Sequence, residues 1–209
     1  MLKERNGILA GGNWIVDHIK LIEVYPAEER LANISMEITS NGGAPYNLLV
    51  SLYKMNTGIP LEGIGIIGDD AKGDLILNEC RTMDIDATQI SRVSNVATSY
   101  TDVMTVQSTG RRTFFHYRGA NAQLKKDDFD FSKTKAKIFH LGYLLLLDGL
   151  DEMDDRGKTG AQEVLKRAKD SGLITSVDIV SEQSNRYRDI IPPSLPYMDI
   201  LFINELETQ

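Results

Sequence analysis

The stretch Asn41-Gly42-Gly43-Ala44-Pro45-Tyr46-Asn47 sets two glycines directly before a proline and an apolar run at helical spacing, Leu48, Leu49, Leu52 and Met55. Pro45 suits the first turn of a helix, where its missing N–H would have had no partner. Asn56-Thr57-Gly58 reads as the C-terminal stop. Gly42 and Gly43 therefore stand at a helix N-terminus, where unpaired N–H groups and the helix dipole favour anionic or oxygen-rich ligands. A plain loop explains a glycine pair equally well, so any chemistry here depends on what the rest of the chain brings to it.

Two other glycine patterns do not carry the chemistry they imitate. Gly63-Ile64-Gly65-Ile66-Ile67-Gly68 spells the dinucleotide fingerprint, but the fingerprint must follow a strand and open a helix. Here the glycines are the strand itself, entered from the turn Gly58-Ile59-Pro60. Gly157-Lys158-Thr159 resembles the end of a phosphate-binding loop, yet the position that needs the leading glycine is Glu152 and no apolar strand feeds it. His18, His116 and His140 lie far apart without ligand spacing, and structural roles are expected for all three. The single cysteine, Cys80, falls in a helical pattern and reads as a small packing residue. One cysteine excludes an internal disulfide and fits a reducing compartment.

The elements that must position these residues follow from periodicity. Apolar strands over residues 6–10, 63–67, 137–141 and 174–180, joined by 199–203, alternate with helices from Ala44, over 71–83 behind Asp69-Asp70, and over 159–171 before Gly172. That order predicts a parallel sheet covered by helices on both faces. Residues 19–25 and 31–39 alternate as exposed strands, and 99–107 with 111–118 form a hairpin around Ser108-Thr109-Gly110. The segments near 15–39 and 98–118 thus predict a second small sheet, a lid. Its free strand edges invite pairing with a second copy, so a homodimer through the lid is expected.

The chain has 209 residues, 42% hydrophobic and 25% charged, enough for one sizeable core. A net charge of −7 without a basic stripe argues against a nucleic-acid partner. Lys133-Thr134-Lys135-Ala136-Lys137 and Asp127-Asp128-Phe129-Asp130 read as solvated surface. The apolar run in MLKERNGILAGGNW is too short for a signal peptide, and the longest, near Leu141–Leu147, is far short of a membrane span. A cytoplasmic protein without a membrane partner is expected.

Five stretches, in order, resemble the PfkB, or ribokinase-like, family of sugar and nucleoside kinases. Gly11-Gly12-Asn13-Trp14-Ile15-Val16-Asp17 is similar to the family's first strand with its downstream Asp, and Asn41–Asn47 to its Gly-Gly motif with a following Asn. Gly65-Ile66-Ile67-Gly68-Asp69-Asp70-Ala71-Lys72-Gly73 resembles G-x-x-G-x-D-x-x-G. Arg118-Gly119-Ala120-Asn121-Ala122 resembles the segment leaving the lid, and Asn204-Glu205-Leu206-Glu207 the N-x-x-E motif. The resemblance implies a ribokinase-like three-layer α/β/α sandwich with a β-sheet lid, and transfer of the ATP γ-phosphate to a sugar hydroxyl with Mg²⁺. It implies substrate contacts at Asp17, Gly42, Gly43, Asn47, Asn13 and, through a guanidinium after Phe115-His116-Tyr117, Arg118. Asn204 and Glu207 would organise ATP and Mg²⁺, Glu207 as the metal residue through water; Asn at an N-cap and Glu at N3 is equally a capping pair. Two residues before Asp17, where ribokinases typically carry Asn, stands Ile15, which weakens any case for a pentose. The family's G-A-G-D segment, whose Asp is the general base, has no match in residues 1–209. No catalytic residue is therefore expected in this chain: the base is expected beyond Gln209, the sandwich is incomplete, and the chain as it stands is expected to be inactive. A non-catalytic sugar- or nucleoside-binding regulator is the alternative, and an NAD-dependent oxidoreductase a third reading.

Overall fold

The computed structural model describes residues 5–181 and 186–205. In chain order the elements are β1 (Ile8–Gly12), β2 (Ile15–Ile22), β3 (Ile34–Gly42), α1 (Ala44–Lys54), β4 (Leu61–Gly68), α2 (Ala71–Thr82) and β5 (Asp86–Val93). There follow β6 (Tyr100–Val106), β7 (Arg112–Tyr117), β8 (Ile138–Leu144), α3 (Asp148–Asp151), α4 (Gly160–Asp170), β9 (Ile174–Ile179), α5 (Tyr187–Ser194) and β10 (Ile200–Phe202). Six strands make a parallel sheet in the order β10-β9-β8-β1-β4-β5. The other four form the lid, in the order β3-β2-β6-β7.

Alternation along the parallel strands explains the layers. Leu9, Ile64, Ile66, Phe139 and Leu141 face one side and pack with Val164, Leu165 and Ala168 of α4. Ile8, Ala10 and Ile67 face the other and pack with Leu49 of α1 and Ile76 and Cys80 of α2. Cys80 is fully buried, and burial pushes its thiol up to about 12, which leaves it inert. His140 is also core, bonded through Nδ1 to Ser176 Oγ at 3.0 Å, and burial holds its pKa down at about 4.

The fingerprint-like glycines belong to β4 and make room for Trp14. A Cβ on Gly63 would lie 2.8 Å from the indole, and one on Gly65 2.7 Å from it. Trp14 fills that slot completely buried and donates its indole N–H to Ile64 O at 3.0 Å.

Three readings of the sequence are corrected. The exposed strands run over 15–22 and 34–42, each three or more residues from the expected 19–25 and 31–39. The ladder that pairs Ile15 with Gly42 and Ile19 with Ile38 fixes their limits, which alternation alone could not. β5 had no signal: it is an edge strand of mixed polarity, DATQISRV, whose buried residue is Ile90. Met55, counted with the buried stripe of α1, lies past the helix end and is 71% exposed.

Asp70 ties this body to the lid. Its carboxylate caps α2 by accepting from Gly73 N at 2.9 Å, and accepts from Thr98 N at 2.8 Å and Thr98 Oγ1 at 2.7 Å where β5 passes into β6. Burial raises the carboxyl pKa, but the Thr98 and Gly73 bonds outweigh it and hold it below 3.8. The ionised form is therefore favoured by folding, and its contribution holds above pH 3.8 and fades as pH falls through the depressed folded value. Asp70→Ala is expected to cost about 1–2 kcal/mol in urea unfolding at pH 7. The difference from the unsubstituted protein should shrink as pH falls through the depressed folded value; a pH-independent difference would show that the charge is not involved.

Candidate functional site

The chain passes between the parallel sheet and the lid four times, and the candidate residues collect at those crossings. Asp17 stands on β2 in register with Ser40 of β3 and Thr101 of β6, and Thr101 with His116 of β7. Ser40, Asp17, Thr101 and His116 therefore form one polar row on one lid face. The Thr101 hydroxyl is near enough to Asp17 to favour its ionised form, and Thr101 Oγ1 lies 3.0 Å from His116 Nδ1. Burial raises the Asp17 carboxyl above its ordinary value, partly offset by Thr101, His18 and Arg112. Burial, and then the Arg118 guanidinium, pushes His116 down to about 4, so this imidazole is neutral at physiological pH.

The glycine pair answers to the chain's own groups. A Cβ on Gly42 would sit 2.2 Å from Asp17 Oδ2. Gly43 has φ 90°, and a Cβ there would strike Asn13 O at 1.8 Å. Gly42 leaves room for the Asp17 carboxylate, and Gly43 lets α1 start directly against the β1–β2 crossing. Asn47 follows one turn on, exposed, its N–H on Gly43 O at 3.0 Å.

Asn13 is fully buried. Its Oδ1 accepts from Tyr143 N at 2.6 Å and its Nδ2 donates to Leu146 O at 3.3 Å. As placed, it holds the loop after β8. Arg118 grips the same loop, donating to Leu145 O at 3.1 Å and pairing with Asp148 at 3.0 Å. Arg186 also donates to Leu145 O, at 2.8 Å, and Leu145 has φ 75°, uncommon outside glycine. Asp151, pushed up to about 6 by burial, accepts from Leu147 N at 3.0 Å. The loop that faces the lid from the sheet is thus fixed at nearly every residue.

Asn204 follows β10, its Nδ2 bonded to Ser181 Oγ at 2.9 Å after β9, at the same sheet edge. Glu207 lies outside the described residues. No group of three or more His, Cys, Asp or Glu among the described residues could hold a metal ion. No described helix is long and apolar enough to cross a membrane. The structure brings Asp17, Gly42 and Gly43 together and puts Asn13 and Arg118 in the support behind them. Thr101 had no signal in the sequence; strand register alone reveals it.

A six-stranded parallel sheet and a four-stranded lid meet where an acid on the lid lies beside a glycine pair. The sequence matches the pfkB family of carbohydrate kinases over residues 13–209, and the chain belongs to that family. It is 25% identical over 152 residues to a 5-dehydro-2-deoxygluconokinase of Clostridium perfringens, a match covering 69% of this chain and 41% of that protein. The chain thus spans well under two thirds of that relative's length. Among solved structures, the ribokinase of Arabidopsis thaliana with ribose and ATP superposes with a TM-score of 0.73 at 23% identity, over 97% of this chain and 61% of that one. A fructokinase of Xylella fastidiosa gives 0.69 at 22%, over 93% and 58%. The fold is ribokinase-like.

Asp17→Asn and Gly42→Ala separate the site from its scaffold. A folded-state pKa raised above 3.8 means that the ionised Asp17 opposes folding at neutral pH and that stability is lost as pH rises through the folded value. Asp17→Asn is therefore expected to melt at or above the unsubstituted temperature at pH 7, and to match it below pH 3. Gly42→Ala should melt lower, because its methyl displaces the carboxylate. A lower melting temperature for Asp17→Asn at pH 7 would show that the carboxylate is a structural anchor.

Proposed function

We propose that this protein phosphorylates a sugar or related hydroxyl compound, with ATP as donor and Mg²⁺ as the charge-neutralising ion. The observation that carries the reading is the half-buried Asp17 carboxylate, seated in the space that Gly42 leaves free on the lid face, in a chain of the carbohydrate kinase family. A carboxylate desolvated in this way gains from accepting hydroxyl hydrogens. The glycine pair brings helix-start backbone to the same spot, and Asn47 sits at the edge with an exposed amide. The lid would exclude water from the transferring phosphoryl group. Asn204 at the end of β10, with Glu207, would address Mg²⁺ and phosphate oxygens; a magnesium ion keeps several waters and needs few protein ligands. Asn13 and Arg118 support the reading indirectly, by fixing the loop opposite the lid.

The activity test is ATP consumption coupled to ADP detection with Mg²⁺ and ribose, fructose and 5-dehydro-2-deoxygluconate in turn. In a chain that carries a G-A-G-D base, turnover with one of them that is lost in Asp17→Asn is expected; with residues 1–209, the expected result is a melting-temperature rise with that sugar and no turnover. No turnover, together with no melting-temperature rise with any of the three, would overturn the reading.

A homodimer through the lid belongs to the same proposal. β3 is an edge strand of the lid, and Ile34, Met36 and Ile38 on it are 51%, 54% and 51% exposed. A free apolar edge of this kind favours a second copy. Light scattering on a size-exclusion column should give twice the chain mass, falling to the monomer in Met36→Lys; a monomer at all concentrations would end the idea.

A further inference from the structure

Polar bonds also reach the glycine pair from behind. Asn41, the residue before Gly42, is buried, and its side-chain amide donates to Glu79 Oε2 of α2 at 2.9 Å and to Leu75 O at 3.4 Å. The Tyr46 hydroxyl, from the first turn of α1, donates to the same Glu79 oxygen. We propose that Glu79 is a positioning residue for the sugar site: one carboxylate oxygen, bonded on both sides of the glycine pair, sets Gly42 and Gly43 against Asp17, and sugar affinity depends on it; this rests on the sugar-kinase reading above. The Asn41 amide is held in one orientation. Both of its acceptors lie on α2, so a flipped amide would turn its oxygen toward a carboxylate and a carbonyl. As placed, its Oδ1 is buried without a partner, a cost that the bonds to α2 must outweigh. Burial, and then Glu79, push the Tyr46 phenol above its ordinary value, so the hydroxyl keeps its proton and stays a donor.

The helix makes that oxygen a fixed point. Asp70 caps α2 and holds Thr98, where the chain enters β6. Glu79 stands on the same helix, roughly 14 Å further along at about 1.5 Å rise per residue. Between them Ile76 and Cys80 pack the helix into the core. Asp17 is on β2, which lies between β3 and β6. Both neighbours of β2 are therefore tied to one helix, β3 through Asn41 and Glu79, and β6 through Thr98 and Asp70. The ties meet next to Asp17: Val16 pairs with Asn41, and Val16 N donates to Ser99 O at 3.1 Å. There is little slack at the pair itself, since a Cβ on Gly42 would lie 2.2 Å from Asp17 Oδ2. A small displacement of Asn41 thus changes where the carboxylate sits. Glu79 stands behind the pair and acts through Asn41 and Tyr46.

The test separates positioning from stability. Glu79→Gln keeps an oxygen that accepts both bonds, Glu79→Leu keeps the volume and removes that oxygen, and Tyr46→Phe removes one donor. Thr175→Val is the control: it breaks the bonds of a buried hydroxyl to Tyr197 O and Asp199, toward the β10 edge of the sheet. Calorimetric titration with ribose, fructose and 5-dehydro-2-deoxygluconate, well below every variant's melting transition and beside Asp17→Asn, reads affinity. The amide NMR signals of Gly42 and Gly43 read the position of the pair without ligand. Glu79→Leu is expected to weaken the best-bound sugar about tenfold and to shift both glycine signals, Glu79→Gln to stay within about threefold with the signals in place, and Tyr46→Phe to fall between. Thr175→Val should melt lower and keep its affinity. Binding by Glu79→Leu equal to the unsubstituted protein, with Asp17→Asn defective, would overturn the inference and leave the sugar site standing. Equal losses in Glu79→Gln and Glu79→Leu would also overturn it, by assigning the effect to charge, as would a matching loss in Thr175→Val, by assigning it to general loosening. No binding of any of the three sugars by the unsubstituted protein would remove the sugar reading and this inference together.

Discussion

Two atoms of this chain occupy the space of two missing side chains. Asp17 Oδ2 lies where a Cβ of residue 42 would be, and Asn13 O where a Cβ of residue 43 would be. Everything about the clasp follows from that contact. It sets β3 and the start of α1 against β2 and the β1–β2 crossing, so the lid carboxylate meets a helix N-terminus instead of open solvent. With Gly43 at φ 90°, a side chain is disfavoured by backbone conformation as well as by space.

The remaining crossings are built to the same end. Asn121 donates to Trp14 O at 3.0 Å, Ser99 Oγ bonds Arg118 O, and Val16 N reaches Ser99 O at 3.1 Å. Lid entry and lid exit are therefore stitched to each other as well as to the sheet. Asn13 and Arg118, one from each crossing, converge on the loop after β8. Arg186 and Asp151 hold the same loop from the sheet side. The cost is local: Leu145 in a left-handed conformation and a buried Asp151 with a raised pKa.

Charge follows burial in a consistent way. Asp70 is ionised and bonded, and stabilises the fold; Asp17 is desolvated and opposes it. Asp70 accepts hydrogen bonds from Gly73 N, Thr98 N and Thr98 Oγ1, whereas the desolvation of Asp17 is only partly offset by Thr101, His18 and Arg112. His116 shows the same incompleteness at Nε2.

The sequence by itself determined the layers and the place of the clasp. Apolar runs alternating with helices specify a parallel sheet at any register, and Asp17, Gly42 and Gly43 sit at motif spacings that survive errors of a few residues in strand limits. It could not determine what the glycines avoid, since Asn13, Asp17 and Trp14 approach them through space and not along the chain. It left β5 unread because an edge strand buries little, and it misjudged strand limits because alternation has no phase without a partner. Asn13 and Arg118 carried a binding signature, and the structure adds that their side chains also bond the loop after β8. Whether a polar side chain faces a ligand or its own backbone depends on long-range placement, and only the tertiary structure decides it. The row from Asp17 through Thr101 to His116 exists for that reason too: three residues distant in sequence become neighbours when β2, β6 and β7 pair in one register.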